Sequence, residues 1–522
     1  MSRPLRIGGA ALVVSGSVLL SRLLGLGREA LLAGLIGVNA EGDLYRQAFA
    51  IPDFLNYLLA GAYLTITLIP ILSRHLEQGD QEAASRAFTS VYRFVGIAIL
   101  AVTGLMWVFA GSLVSLVFPE VVEEHARLVS LTRLVLPAQV FLVMGALLIA
   151  VQYTHRRFVV PALAPLIYNL GIIVGGLTGA AIGRAGPEGF LWGAVIGSAV
   201  GNFGLQWVGA RRTGTWMRSV ARGQSAVGEY LMLALPLMIG QSIAVLDEQF
   251  VRFFGQVEEG ATSALSFARQ LNMVPIGVVA QAAGVAAYPF LARLAARGDD
   301  QGLAMTTARA ARGTLFAAFL AAAALVAVAV PLVRVLYLYG EFTEADAGVV
   351  GSLLGIYALS IPAWGLHQIL SRHFYAKRKM WTPVVIGTVF TALAVPVWLV
   401  LRDRRGVEGM AIASTLVMTA YALAMLAAWW RDSGPEQVWR LLGTMGRGLV
   451  AAITAAVIGR SLVGSIIGDG VISTPEGILA VVVGVVTVVA VFLVATLLLR
   501  SPELRELRRR GGPGSEVRDR RG

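Results

Sequence analysis

Apolar residues run in long blocks along this chain, and the charges gather in the short gaps between them. The blocks recur from end to end. Most are about 20 residues or longer, the length at which an α-helix crosses a bilayer, whereas shorter runs would indicate a soluble core. Fourteen spans are predicted, at 8–37, 43–72, 88–117, 128–154, 160–182, 188–210, 227–256, 261–291, 313–338, 346–374, 382–401, 407–430, 442–464 and 477–499. The first, second and eighth are long and carry charges or prolines, so each is expected to be bent or broken. The fold class that follows is an all-α polytopic membrane protein.

Composition agrees with the pattern. Only 14% of the 522 residues are charged and 57% are hydrophobic, against roughly 25% charged in an ordinary soluble domain. Mean hydropathy is +0.72. The absence of cysteine excludes disulfides and thiolate metal sites. The first apolar block is too long for a cleavable signal peptide and has arginines inside it, so the N-terminus is expected to stay on the protein.

The net charge of +12 would suggest nucleic acid in a soluble protein. Here it follows instead from basic cytoplasmic loops. Loops with Arg74 and Arg86, Arg156 and Arg157, Arg211 to Arg222, Arg293 and Arg297, Arg372 to Lys379, and Arg431 with Arg440 alternate with short or acidic ones. The acidic set includes Glu41 and Asp43, Glu120 to Glu124, Glu258 and Glu259, and Glu341 to Asp346. This alternation places both termini in the cytoplasm, the N-terminus with Arg3 and Arg6 and the C-terminus with a basic, solvated tail over 501–522. Arg402, Arg404 and Arg405 are the exception and fall outside by this count.

Two motifs occur twice, in the same order and at nearly the same offset. Pro70-Ile-Leu-Ser-Arg-His-Leu-Glu-Gln-Gly-Asp80 returns as Pro289-Phe-Leu-Ala-Arg-Leu-Ala-Ala-Arg-Gly-Asp299. Tyr153-Thr-His-Arg-Arg-Phe-Val-Val-Pro161 returns as Tyr375-Ala-Lys-Arg-Lys-Met-Trp-Thr-Pro383. Two six-helix halves follow, 1–222 and 223–434, with an additional helix pair at 435–500. Six is even, so the halves are parallel repeats, a transporter architecture whose substrate site is expected between them.

Charged side chains inside the spans are the candidate chemistry, because a charge at the bilayer centre costs about 3 kcal/mol or more unless it meets water or a partner. Arg22 and Arg28 lie in the first span, and a bend at Gly25 or Gly27 would bring them to one cavity. Otherwise one or both snorkel to headgroups. Arg46 and Asp53 lie in the second span and Arg269 in the eighth. Asp43 has two readings, a partner for an arginine or a helix cap. Asp247, Glu248 and Arg252 share the seventh span, where Glu248 and Arg252 form either an i,i+4 ion pair or part of a proton or sodium coupling site. Buried arginines with few carboxylates to cancel them predict a net positive cavity. The guanidinium fork suits a phosphate, and a diphosphate headgroup would fit. No HExxH, Walker or CxxC motif is present and no loop is long enough for a separate catalytic domain, so no cofactor, metal or enzyme activity is predicted.

These residues resemble the murein lipid II flippase family (MviN/MurJ), within the multidrug/oligosaccharidyl-lipid/polysaccharide exporter superfamily. Ser21-Arg22-Leu-Leu-Gly25-x-x-Arg28-Glu29-Ala30 is similar to the family's SRxLGxxRDA, with Glu for Asp. Asp43 followed by Ala48-Phe49-x-x-Pro52, Pro70-Ile71-Leu72, Tyr339-Gly340-Glu341-Phe342-Thr343, and Phe374-Tyr375 with Thr382-Pro383 are similar to further family strings. The resemblance implies export of a lipid-linked peptidoglycan precursor by alternating access in the bacterial inner membrane. It also implies substrate-binding roles for Arg22, Arg28 and Arg269 and an essential Asp43. Two departures bear on the headgroup. Asn56 stands where the family has Arg, and Gly61 where it has Glu. Arg46, on the same span, is the candidate replacement charge.

The leading expectation is therefore a lipid II flippase, with cell-wall synthesis proteins as candidate partners and no nucleic acid. A flippase for another lipid-linked oligosaccharide or a related exporter, and an intramembrane glycosyltransferase, are the alternatives.

Overall fold

A computed structural model of the chain describes residues 7–59, 63–218, 226–239, 243–256, 258–467 and 474–503. Arg3, Arg6, Gly61, Arg222 and the chain from 504 onward lie outside these. Every regular element among the described residues is a helix. Eight described segments are long and apolar enough to cross a membrane, and the chain is a multi-pass membrane protein.

Backbone contacts divide it into two compact units. The first comprises Met1–Gln241, Glu248–Ser263 and Tyr339–Thr343, and the second Ser242–Asp247, Ala264–Leu338 and Glu344–Gly522.

Helix α1 (Ile7–Leu35) opens the first unit. It is one continuous helix, not divided as the second span is. Gly25 and Gly27 sit inside one unbroken helix, because a glycine weakens a helix by about 1 kcal/mol without removing a hydrogen bond as proline does. The second predicted span is interrupted as expected, at Phe49 between α2 (Ala40–Ala48) and α3 (Ala50–Leu59); α4 (Tyr63–Glu77) follows beyond the undescribed residues 60–62. Asn39 caps α2, its side chain accepting from the Gly42 amide at 3.1 Å. Next come α5 (Gln81–Val108), α6 (Ala110–Val117), α7 (His125–Val135), α8 (Pro137–Thr154), α9 (Val159–Ala181), α10 (Pro187–Gly197), a π-helical segment Ser198–Gly204, and α11 (Leu205–Arg211).

Glycine sets a close helix contact in this unit. Gly171, Gly175 and Gly179 recur every four residues on α9, and Gly189, Gly193 and Gly197 do so on α10. A Cβ at Gly175 would stand 2.3 Å from the Gly189 carbonyl oxygen and 2.7 Å from the Gly193 Cα. Small residues allow this approach in a bilayer, where packing rather than water exclusion holds helices together. Gly175→Val should force the backbones apart and cost about 1–3 kcal/mol. A fall in the thermal unfolding midpoint of the purified protein measures it, and an unchanged midpoint would contradict the packing.

Helices α12 (Val227–Ile239), α13 (Ile243–Phe254) and α14 (Ala261–Pro275) follow, then a π-helical segment Ile276–Gln281 and α15 (Ala282–Ala296). The eighth predicted span is thus broken after Pro275, again as expected. In the second unit α16 (Asp300–Tyr337) packs against α17 (Glu344–Ala358), α18 (Ile361–Ala376), α20 (Pro435–Ile467) and α21 (Thr474–Leu498). Between them α19 (Trp381–Ser433) is interrupted at Gly406, φ 57° and ψ −135°, a backbone state open to glycine. That break separates the predicted spans 382–401 and 407–430. The predicted solvated tail begins later than expected, since Glu503 is buried and accepts from the Thr444 hydroxyl at 2.5 Å.

The repeated motifs fold alike. Gly79 and Gly298 both take positive φ, 75° and 68°. The aspartates after them cap the next helix, Asp80 accepting from the Ala83 amide at 2.7 Å and Asp299 from the Gly302 amide at 2.8 Å. In the second motif Arg156 and Arg378 take positive φ, 55° and 58°. Arg156 N–H donates to Tyr153 O at 2.9 Å, and Arg378 N–H to Tyr375 O at 3.0 Å. Each pair of sequence matches therefore encodes one local structure, helix stop and restart.

Candidate functional site

In the first unit, the charges of α1 and α2 meet. Glu29 is buried, and its two oxygens are taken by two guanidinium groups: Arg28 Nη2 donates to Oε1 at 2.6 Å and Arg46 Nη2 to Oε2 at 2.9 Å. Arg28 also donates through Nη1 to Asn169 Oδ1 on α9 at 3.3 Å. Asn169 is held in turn, its Nδ2 donating to Pro165 O at 2.9 Å and Ser21 Oγ at 3.3 Å. The side chain of Arg28 is 22% exposed, against 9% for Arg46 and 4% for Glu29. The trio carries one surplus positive charge, and Arg28 is its accessible member.

A second trio lies in the same unit. Arg252 donates through Nη1 to Asp53 Oδ2 and through Nη2 to Glu248 Oε1, both at 2.6 Å. The i,i+4 pair expected from the sequence forms, with Asp53 added from α3. This group carries one surplus negative charge.

Asp43 is a cap, but not of its own helix. Its Oδ2 accepts from the Gly260 amide at 2.8 Å and its Oδ1 from the Ser263 amide at 2.7 Å, 217 and 220 residues away. Both oxygens of this buried carboxylate are therefore engaged by backbone donors at the first turn of α14, a favourable place for an anion. The adjoining left-handed glycine, Gly260, has no room for a Cβ, which would meet Val38 at 2.8 Å.

Arg269 belongs to the second unit. Its Nε donates to Asp247 Oδ2 at 3.2 Å, and the Ser414 hydroxyl donates to Asp247 Oδ1 at 2.6 Å. Beside them is a closed cavity of about 10 Å³ bordered by Asn272, Tyr357 and Ser360, room for about one water.

Two expectations change. Arg22 is exposed on α1, outside the trio of Arg28, Glu29 and Arg46. The arginines are also not a set with few carboxylates: Arg28 and Arg46 share Glu29, Arg252 has Asp53 and Glu248, and Arg269 has Asp247. Burial in a low-dielectric span requires such pairing. Glu29 and Asn169 are the residues that sequence reading passed over. A carboxylate next to Arg28 inside an apolar block was the available signal for the first; nothing marked the second. Asn56 is half-buried on α3.

The family profile described as "Lipid II flippase MurJ" matches residues 32–499. A "Probable lipid II flippase MurJ" from Rhizobium meliloti (strain 1021) is 26% identical over 458 residues, 85% of each chain. The "Lipid II flippase MurJ" of Burkholderia cenocepacia is 27% identical over 397 residues, covering 72% of this chain and 75% of that one. Among solved structures, "Lipid II flippase MurJ, inward closed conformation" superposes with a TM-score of 0.75 at 21% identity, covering 94% of this chain and 99% of that one. An inward-facing multidrug resistance MATE family transporter of the MOP superfamily gives 0.67 at 15% identity over 81% and 98%. The fold is shared with both, and the profile match over most of the sequence decides between them: this chain belongs to the lipid II flippase MurJ family.

Proposed function

We propose that this chain flips lipid II, the undecaprenyl-diphosphate-linked peptidoglycan precursor, across the bacterial inner membrane, and that Arg28 is its main contact with the diphosphate. The observation that supports this most is the Arg28, Glu29 and Arg46 trio, which holds an accessible guanidinium rigidly within a membrane span. Glu29 and Asn169 fix the arginine's orientation, so little side-chain freedom is lost when an anion binds. Arg46 neutralises Glu29 and leaves Arg28 its charge for a phosphate, which accepts two parallel charge-assisted bonds from one fork. Arg46 in this role offsets the Asn56 departure.

The reading extends to alternating access by the two repeats, 1–222 and 223–434, with 435–500 as an appended helix pair. The tail over 501–522 and both termini are in the cytoplasm, as the alternating loop charges require. Asp43 acts through backbone anchoring rather than by touching substrate. Asp247, Glu248 and Arg252 are the candidates for ion coupling or gating: Glu248 and Arg252 form with Asp53 a trio whose surplus negative charge suits a proton or sodium ion, and Asp247 is the carboxylate that partners Arg269. Arg22 meets the substrate or the headgroup layer at its approach. Cell-wall synthesis proteins are the partners to seek.

The test is complementation. Cells depleted of their own flippase and supplied with this chain should expose lipid II on the outer face, and purified protein in vesicles should move lipid II in preference to other undecaprenyl-linked glycans. Failure to move lipid II while moving another lipid-linked glycan would replace the substrate; failure to move any would end the reading. Arg269→Ala should abolish complementation with membrane insertion intact, and normal growth would remove Arg269 from the mechanism.

A further inference from the structure

The second unit holds a larger opening that the flipping site does not use. It is a groove of about 680 Å³ bordered by α16, α17 and α20. Four glycines are among its lining residues, one of which, Gly351, is packed against Val330. Gly348 and Gly355 on α17 and Gly464 on α20 line it, and a Cβ built at any of the three would meet nothing within 4 Å. The space in front of these glycines is therefore open, unlike the filled approach between α9 and α10.

Two arginines also line this groove, Arg334 on α16 and Arg460 on α20. Arg334 is paired with Glu344, its Nε 2.8 Å from Oε2. Arg460 is different. It is exposed and set among exposed apolar neighbours, Val457, Ile458 and Leu462. No carboxylate lies within 4 Å of it among the described residues. It lies four residues from the end of the predicted span 442–464, about 6 Å along the helix, where a guanidinium reaches the level of the lipid phosphates.

We propose that the groove binds an anionic membrane phospholipid, with an acyl chain along the glycine wall and the phosphate on Arg460 beside the Arg334–Glu344 pair. Charge complementarity favours this occupant. A phosphodiester supplies the anion that Arg460 lacks and accepts bidentately from its fork. A partner transmembrane helix would suit the glycine wall, but it would have to carry a carboxylate to the same depth. The site is separate from the Arg28 trio and does not depend on the flipping reading.

The experiment is native mass spectrometry of the purified full chain, titrated with phosphatidylglycerol or phosphatidylcholine after delipidation. Phosphatidylglycerol should be retained in preference. Arg460→Leu and Gly355→Leu should each weaken that retention roughly tenfold, the first by removing the charge and the second by filling open space without a clash. Equal retention of the two lipids by the wild-type protein, which involves no variant and no question of folding, would overturn the proposal. Unchanged phosphatidylglycerol retention in both variants would also overturn it, as would a co-purifying membrane protein lost from the variants while lipid retention stays the same.

Discussion

Arg28→Ala should abolish complementation while the protein still inserts and accumulates. The structure separates the two effects. Glu29 keeps Arg46 as a partner at 2.9 Å after Arg28 is gone, so no buried carboxylate is stranded, and Arg28 itself is the most exposed of the three. What disappears is the accessible fork. Hydrogen bonds to a charged group contribute about 1.5–3 kcal/mol each, so loss of a bidentate contact should lower lipid II flipping by roughly a hundredfold or more. Arg28→Lys keeps the charge but not the planar fork and should restore only part of the activity. The measurement is lipid II exposed at the outer face of depleted cells, normalised to the amount of protein in the membrane. Wild-type exposure in Arg28→Ala would remove this residue from the mechanism.

Glu29→Gln should act mainly on the fold. It leaves two guanidinium groups facing a neutral amide at a site where the side-chain exposure of Glu29 is 4%. Removing one partner from a buried ionic group costs about 3–5 kcal/mol, because the remaining charge has lost its compensation. The expected result is a sharp fall in folded, monodisperse protein and in the thermal midpoint. Adding Arg46→Met to Glu29→Gln should recover much of the stability, since an apolar replacement of a buried pair is often neutral. If Glu29→Gln alone is as stable as wild type, the trio is not what holds α1 against α2.

These expectations rest on contacts that were only partly legible in the sequence. Hydropathy marked the chain as an all-α membrane protein, because a bilayer imposes a length on any helix that crosses it, and eight described segments have that length and apolar character. The doubled Gly-Asp and Tyr-x-x-Arg motifs predicted duplicated structure, and both copies of each fold alike, because a glycine or arginine at positive φ and a capping aspartate are local devices. The Glu248 and Arg252 pair was legible for the same reason, four residues being one helical turn.

Long-range pairings were not legible. Glu29 and Arg46 are 17 residues apart, Asp53 and Arg252 are 199 apart, and Asp43 reaches amides more than 200 residues on. Periodicity carries no information about which carboxylate meets which arginine across a bundle. The tally of buried arginines therefore looked more positive than the folded site is, and neither reading of Asp43, an arginine's partner or a cap of its own helix, reached the amides of α14. The break expected in α1 did not appear, because its two glycines soften a helix but leave its hydrogen bonds in place.

The central claim is that an oriented Arg28 guanidinium receives the diphosphate of the lipid-linked precursor. The most direct measurement is equilibrium binding of lipid II to purified wild-type and Arg28→Ala proteins in matched membrane discs. A lipid of the same tail without phosphate serves as the reference. The account predicts that wild type holds lipid II well above the reference and that Arg28→Ala binds the two alike. Equal lipid II affinity in the two proteins would contradict it.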